Sequence, residues 1–366
     1  MTGATSVVVL TAVAASLAAM TEFSLTHPGA LIAALPAVLG FVPEKSMMLV
    51  TLEAGEMGAV MRADLSTDLA DNITRLAEIA ATAGAENVVA VMVDADGALC
   101  PMCDDDHRRL AAALSESLLH HGAQLLAVYV VDRVGVGGTW RCIDGCGAAG
   151  TVEDPSASPL AAAAVLDGRR LYGTRADLHA VIAVDDPVRT ATLVESIARC
   201  AAEREVRWRS NPNNVGRRDV QAVIEMAGRV LDGRRPGDDE LVAVACGLTD
   251  IVVRDTLYAL AVGSEAAAAE ALWALLSRTL PDPWRVEALV LLAFSAYTRG
   301  DGPLAGIALV AALRSDPEHR MAGMLDVALQ SGMRPEQIRE LTATGYRLAR
   351  RLGVRLPPRR LFGRAG

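Results

Sequence analysis

Pro283 and Pro317 stand 34 residues apart, and each closes an Ala-rich stretch. A 34-residue period is the length of one tetratricopeptide-type helical hairpin, which stacks on its neighbours and presents a groove. Counted from Arg285, the small and apolar residues Leu289, Leu292, Ala293, Ala296, Ala305, Leu309 and Ala312 fall where two packed helices need them. RGDGP (299–303) supplies the turn between them. One period earlier Ala259, Ala271, Leu275 and Pro283 fit the spacing while Arg278 does not, and one period later the match ends. The spacing therefore predicts a helical back half that is partly repeat-like.

The front half alternates strand and helix signals. MMLVTLE (47–53) and GAVMRADL (58–65) read as a strand pair. A helix follows from Thr67 or Asp68 to about Ala83, and NVVAVMV (87–93) is a continuous apolar run expected of a strand covered on both faces. Asp104 to His120 reads as a helix with three aspartates in its first turn, and QLLAVYVVDR (124–133) as the next strand. GVGG (135–138) turns the chain into the arm TWRCI (139–143). Strand, helix, strand, helix, strand predicts a layered α/β sheet. From Pro187 onward only helical spacing is present. The expected organisation is an extension or mis-called start over 1–22, an α/β domain over 23–184, an α-helical repeat-like domain over 185–346, and an Arg-rich tail over 347–366.

Charge follows the same division. Residues 1–185 carry 22 acidic and 10 basic side chains, and residues 186–366 carry 22 and 25. The tail holds seven arginines and no acid, but a single aromatic residue, Phe362, stands among them as a base-stacking platform, so nucleic acid is not the expected partner. The apolar stretch 6–20 lacks a preceding Lys or Arg and is short for a bilayer span. A membrane location is therefore not expected. Six cysteines in 366 residues do not make a disulfide framework, which points to reduced thiols and a cytoplasmic protein.

Three stretches in order carry a family resemblance: LIAALPAVLGFVPEKSMMLVTL (31–52), the GGTWRC arm followed by PLAAAAVLDGRRLYGTRADL (138–178), and RGDGPLAGIALVAALRSDP through LQSGMRP (299–335). Together they resemble the actinobacterial domain-of-unknown-function family numbered 4192. The resemblance implies no activity and no catalytic residues. The chain departs from the family pattern after the Trp-Arg-Cys arm, where many relatives have a longer gap and a doubled cysteine. Here Cys142 and Cys146 are spaced C-x3-C.

Four sets of residues could carry chemistry. CPMC (100–103) opens a helix after a buried strand, as a thiol redox site would, although Asp104, Asp105 and Asp106 beside it oppose a thiolate. Cys100, Cys103, Cys142 and Cys146 make two short-spaced pairs that could supply the four thiolates of a structural zinc. Asp94 and Asp96 at the end of a predicted strand lie where ligands bind in α/β sheets. Trp140, Arg141, Arg169, Arg170 and Tyr172 could line one contact surface, since exposed Trp, Arg and Tyr favour interfaces. The single lysine, Lys45, argues against Lys-based phosphate or Schiff-base chemistry, and no G-x-S-x-G elbow is present. The expectation is a non-enzymatic protein-binding or scaffold module. The alternative is an enzyme whose site lies near Asp94, Cys100 and Trp140.

Overall fold

A computed structural model describes residues 8–11, 27–53, 56–66, 69–82, 85–166, 170–331 and 333–358. It divides into two compact units, the first ending at Leu178 and the second starting at His179.

The first unit is built on one sheet. Its elements are β1 (Val8–Thr11), α1 (Pro28–Leu39), β2 (Ser46–Glu53), β3 (Glu56–Asp64), α2 (Leu69–Thr82), β4 (Asn87–Val93), α3 (Pro101–His120), β5 (Gln124–Val131), β6 (Thr139–Cys142), β7 (Ala149–Thr151), α4 (Pro159–Leu166) and α5 (Arg175–Ala180). The strands are ordered β1-β3-β2-β4-β5-β6-β7. β4 and β5 are parallel, and every other neighbouring pair is antiparallel. Within the stretch read as an extension, Val8–Thr11 add to the sheet edge against β3. The rest of 1–22 lies outside the described residues.

Side chains alternate across the sheet, so each strand feeds two cores. Met47, Leu49, Met61, Val88, Ala90, Met92, Val128 and Val130 face α2 and α3, packing on Ile73, Leu76, Leu114 and Leu118. The alternate residues Met48, Val50, Val89, Val91, Tyr129 and Val131 are buried too, which explains the unbroken apolar run of β4. Trp140 pairs with Val131 across β5 and β6 and shares this second face. Gly29 of α1 lies against Trp140 and Thr151 there.

The second unit is helical: α6 (Pro187–Ser210), α7 (Pro212–Leu231), α8 (Asp238–Leu248), α9 (Ile251–Leu257), α10 (Ala266–Thr279), α11 (Trp284–Thr298), α12 (Gly302–Ser315), α13 (Arg320–Gln330), α14 (Pro335–Glu340) and α15 (Thr342–Leu352). NPNN (211–214) joins α6 to α7. Asn211 caps α7 through a bond from the Asn214 N–H, and Pro212 takes its first position, where a missing N–H costs nothing. The hairpin expected over 285–312 is α11 and α12, with Asp301 capping α12 through the Leu304 N–H at 3.0 Å. However, α11 is buried continuously from Ala288 to Thr298. A groove-forming repeat leaves one helix face open, whereas α11 is the apolar centre of its unit. No helix among the described residues is long and apolar enough to cross a membrane.

Candidate functional site

The carboxyl ends of the parallel strands β4 and β5 open into a cleft of about 510 Å³. Its charged lining is Glu44, Lys45, Asp94, Asp96, Asp132 and Arg133. Two of these carboxylates hold the loops in place. Asp132 accepts the N–H groups of Arg133 (2.6 Å) and Thr139 (2.8 Å), fixing the turn between β5 and β6. In that turn Gly137 has φ +72°, a conformation that favours glycine, so GVGG serves hairpin geometry. Lys45 is exposed and sits 3.8 Å from Asp96.

Asp94 is the residue through which the cleft meets α3. One of its oxygens accepts the Gly97 N–H at 3.1 Å, and the other is 3.1 Å from Nε2 of His107. His107 is only 4% exposed, and its Nδ1 is buried without a hydrogen-bond partner. Gly97 sits between Asp94 and Cys103. A Cβ there would come within 2.1 Å of the Asp94 carboxylate and 3.1 Å of the Cys103 Cβ. The missing side chain is what lets the carboxylate approach Cys103.

α3 starts three residues before the expected Asp104, and this shift places the thiols. Cys100 is the N-cap in extended conformation, Pro101 is the first helical residue, and Cys103 lies in the first turn. The backbone N–H of Cys103, the Cys103 thiol and the backbone N–H of Met102 hold the Cys100 thiol below its ordinary range. The hydrogen bond to the Cys100 sulfur, with burial second, pushes Cys103 up. Two of the three opposing aspartates are paired. Asp104 meets Arg108 at 2.9 Å and Arg141 at 2.7 Å, and these bonds, Arg108 first, hold it below the usual carboxylate range. Asp106 meets Arg109 at 3.0 Å. The sequence shows the three acids beside CPMC, but the guanidinium from β6 arrives only through the fold. Leu99, just before the pair, and Met102, between its two cysteines, are 84% and 79% exposed.

The remaining cysteines behave differently. Burial pushes Cys142 up to about 12, and its thiol bonds to Asp144 and Cys146. Cys246 is buried, is pushed up by burial, and contacts Cys200 and the Ile197 carbonyl. Among the described residues no group of three or more His, Cys, Asp or Glu is arranged to hold a metal. The four cysteines named for a structural zinc fall into two pairs along the chain: Cys100 and Cys103 at the start of α3, and Cys142 and Cys146 across the β6–β7 turn.

Of the five residues expected to line a contact surface, Trp140 is turned inward. Trp140 is 9% exposed, donates its Nε1–H to the Thr151 carbonyl at 3.2 Å, and stacks edge-on against Tyr129 at 5.3 Å. Arg141 donates its Nε–H to the Ala98 carbonyl at 3.0 Å and braces the loop leading to CPMC. Tyr172 pairs through its backbone with Gly40 and Val42, and Arg170 is exposed. Arg169 lies outside the described residues, as does the tail from residue 359 on.

A family model described as "Domain of unknown function (DUF4192)" matches residues 28–336. No curated protein and no solved structure matches the chain.

Proposed function

The chain belongs to the DUF4192 family, whose description assigns no reaction, and from its own side chains we propose that it performs thiol–disulfide exchange at Cys100 and Cys103. The observation that carries this reading is a C-x2-C pair at the start of α3, with Cys100 at the N-cap and Cys103 in the first turn, where the helix's unpaired N–H groups gather. Oriented N–H groups at a helix start stabilise a thiolate, and the thiolate is the nucleophile. In the reaction the Cys100 sulfur attacks one sulfur of a substrate disulfide and expels the other as a thiolate. Cys103 then attacks the Cys100 sulfur of the mixed disulfide and expels the second substrate thiolate. The substrate gains two electrons and the pair closes to a disulfide; the reverse sequence oxidises a dithiol. The exposed Leu99 and Met102 would meet a protein substrate.

A scaffold role through the helical hairpin has less support, because the burial of α11 from Ala288 to Thr298 removes the face that a docked segment would use.

Alkylation with iodoacetamide at neutral pH, followed peptide by peptide by mass spectrometry, tests the proposal. Cys100 should react about 10-fold faster than Cys142, a modest consequence of moving the two thiols in opposite directions. Because Cys100 is lowered, its rate should level off at a lower pH than that of an ordinary thiol, near 8.5. Equilibration with a glutathione redox buffer should close the Cys100–Cys103 disulfide, seen as the loss of two hydrogens from one peptide. Uniform alkylation of all six cysteines, or a pair that stays reduced in oxidising buffer, would overturn the proposal.

A further inference from the structure

Exchange at Cys100 and Cys103 leaves one proton unassigned. Cys103 must lose its thiol proton to attack the mixed disulfide, yet its surroundings favour the protonated form. We infer that Asp94, backed by His107, accepts that proton and passes it to solvent through the cleft at the ends of β4 and β5. The inference rests on the exchange reading above.

Three observations point to Asp94. First, Gly97 brings the carboxylate and Cys103 to either side of a position too narrow for a methyl group. Second, Asp94 lines the cleft, so a proton it takes has a route out. Third, His107 follows Cys103 by one helical turn and holds the second carboxylate oxygen, while its own Nδ1 is buried without a partner. A buried imidazole nitrogen without a partner needs an explanation, and proton relay supplies one. Asp106 is the other carboxylate whose charge acts on Cys103, but it is exposed and paired with Arg109. In the resolving step the Cys103 proton moves to an Asp94 oxygen as the Cys103 sulfur bonds to the Cys100 sulfur. The bond between Cys100 and the substrate breaks, and the substrate sulfur leaves with the electron pair.

The test is stopped-flow reaction of the full chain with 5,5′-dithiobis(2-nitrobenzoate). Attack by Cys100 releases the first coloured thiolate, and resolution by Cys103 releases the second. Cys103→Ser identifies the second phase by removing it. Asp94→Asn should slow that phase about 100-fold, the lower end of the general-base range, without slowing the first. Its rate should then rise in proportion to hydroxide across neutral pH, and added formate should restore part of it. His107→Gln, which leaves Asp94 in place, should slow the second phase several-fold. The inference is overturned if Asp94→Asn leaves the second phase within two-fold of the parent, or slows both phases alike. Overturning the exchange reading needs a different result, namely both phases persisting in Cys100→Ser.

Discussion

Arg204→Ala is expected to destabilise the helical unit by about 3–5 kcal/mol, the range for breaking a buried ion pair from one side. Arg204 lies on α6, is 9% exposed, and bonds Asp219 of α7 at 2.8 Å through Nε. Its Nη2 reaches Asp250 at 2.8 Å. Asp250 also caps α9, taking the Val252 N–H at 2.9 Å. One guanidinium therefore joins three helices, and its loss leaves two carboxylates close together in a poorly solvated place. Burial already pushes Asp219 above the usual carboxylate range, with Arg204 partly offsetting it. An acid raised in the folded state binds more protons than in the unfolded state, so its contribution falls as pH rises through that window. Without Arg204 the offset is lost and the window extends upward. The deficit of the variant should thus be largest at neutral pH and shrink as the pH falls into the mildly acidic range. Urea denaturation at several pH values measures both effects. A loss below about 1 kcal/mol at neutral pH would mean that the network contributes no more than surface pairs do.

Trp140→Ala is expected to destabilise the sheet unit by a similar about 3–5 kcal/mol, the usual cost of removing a buried Trp. The indole fills the space between β6, β7 and the start of α1. A Cβ on Gly150 would lie 2.9 Å from its ring, and one on Gly29 would lie 3.4 Å from Nε1. Removing the ring leaves a cavity that the backbone of two glycines cannot fill. It also leaves the Thr151 carbonyl without its 3.2 Å partner. Trp140→Phe keeps most of the volume and should cost about 1–3 kcal/mol, mainly for that carbonyl. Hydrogen exchange followed by mass spectrometry separates the two units. Both variants should lose protection in β5 to β7 while α10 to α12 keep theirs. If Trp140→Ala left exchange of β6 and β7 unchanged, the residue would have to be an accessible contact after all, as its sequence context suggested.

Much of the fold was legible in the chain because it follows from local rules. The unbroken run 87–93 marked a strand covered on both faces, and β4 is that strand. The small residues spaced from Leu289 to Ala312 marked two close-packed helices, and α11 and α12 are that pair. The spacing did not show that α11 would be buried along its length. Periodicity reports which face of a helix is apolar, not how many neighbours surround it. α3 begins at Pro101 rather than at the expected Asp104, because proline suits the first helical position, where its missing N–H costs nothing.

The candidate site divides along the same line. Residue type and order alone determined that two thiols would sit near a helix start beside three acids, and that the back half would be helical. Only the tertiary structure decided that Arg141 would cross from β6 to Asp104, that Gly97 would admit Asp94 to the side of Cys103, and that Trp140 would turn inward. The reason is physical. Helix and strand periods are set by neighbours a few residues away, whereas charge pairing and burial depend on groups tens of residues distant that only the folded chain brings within a few ångströms.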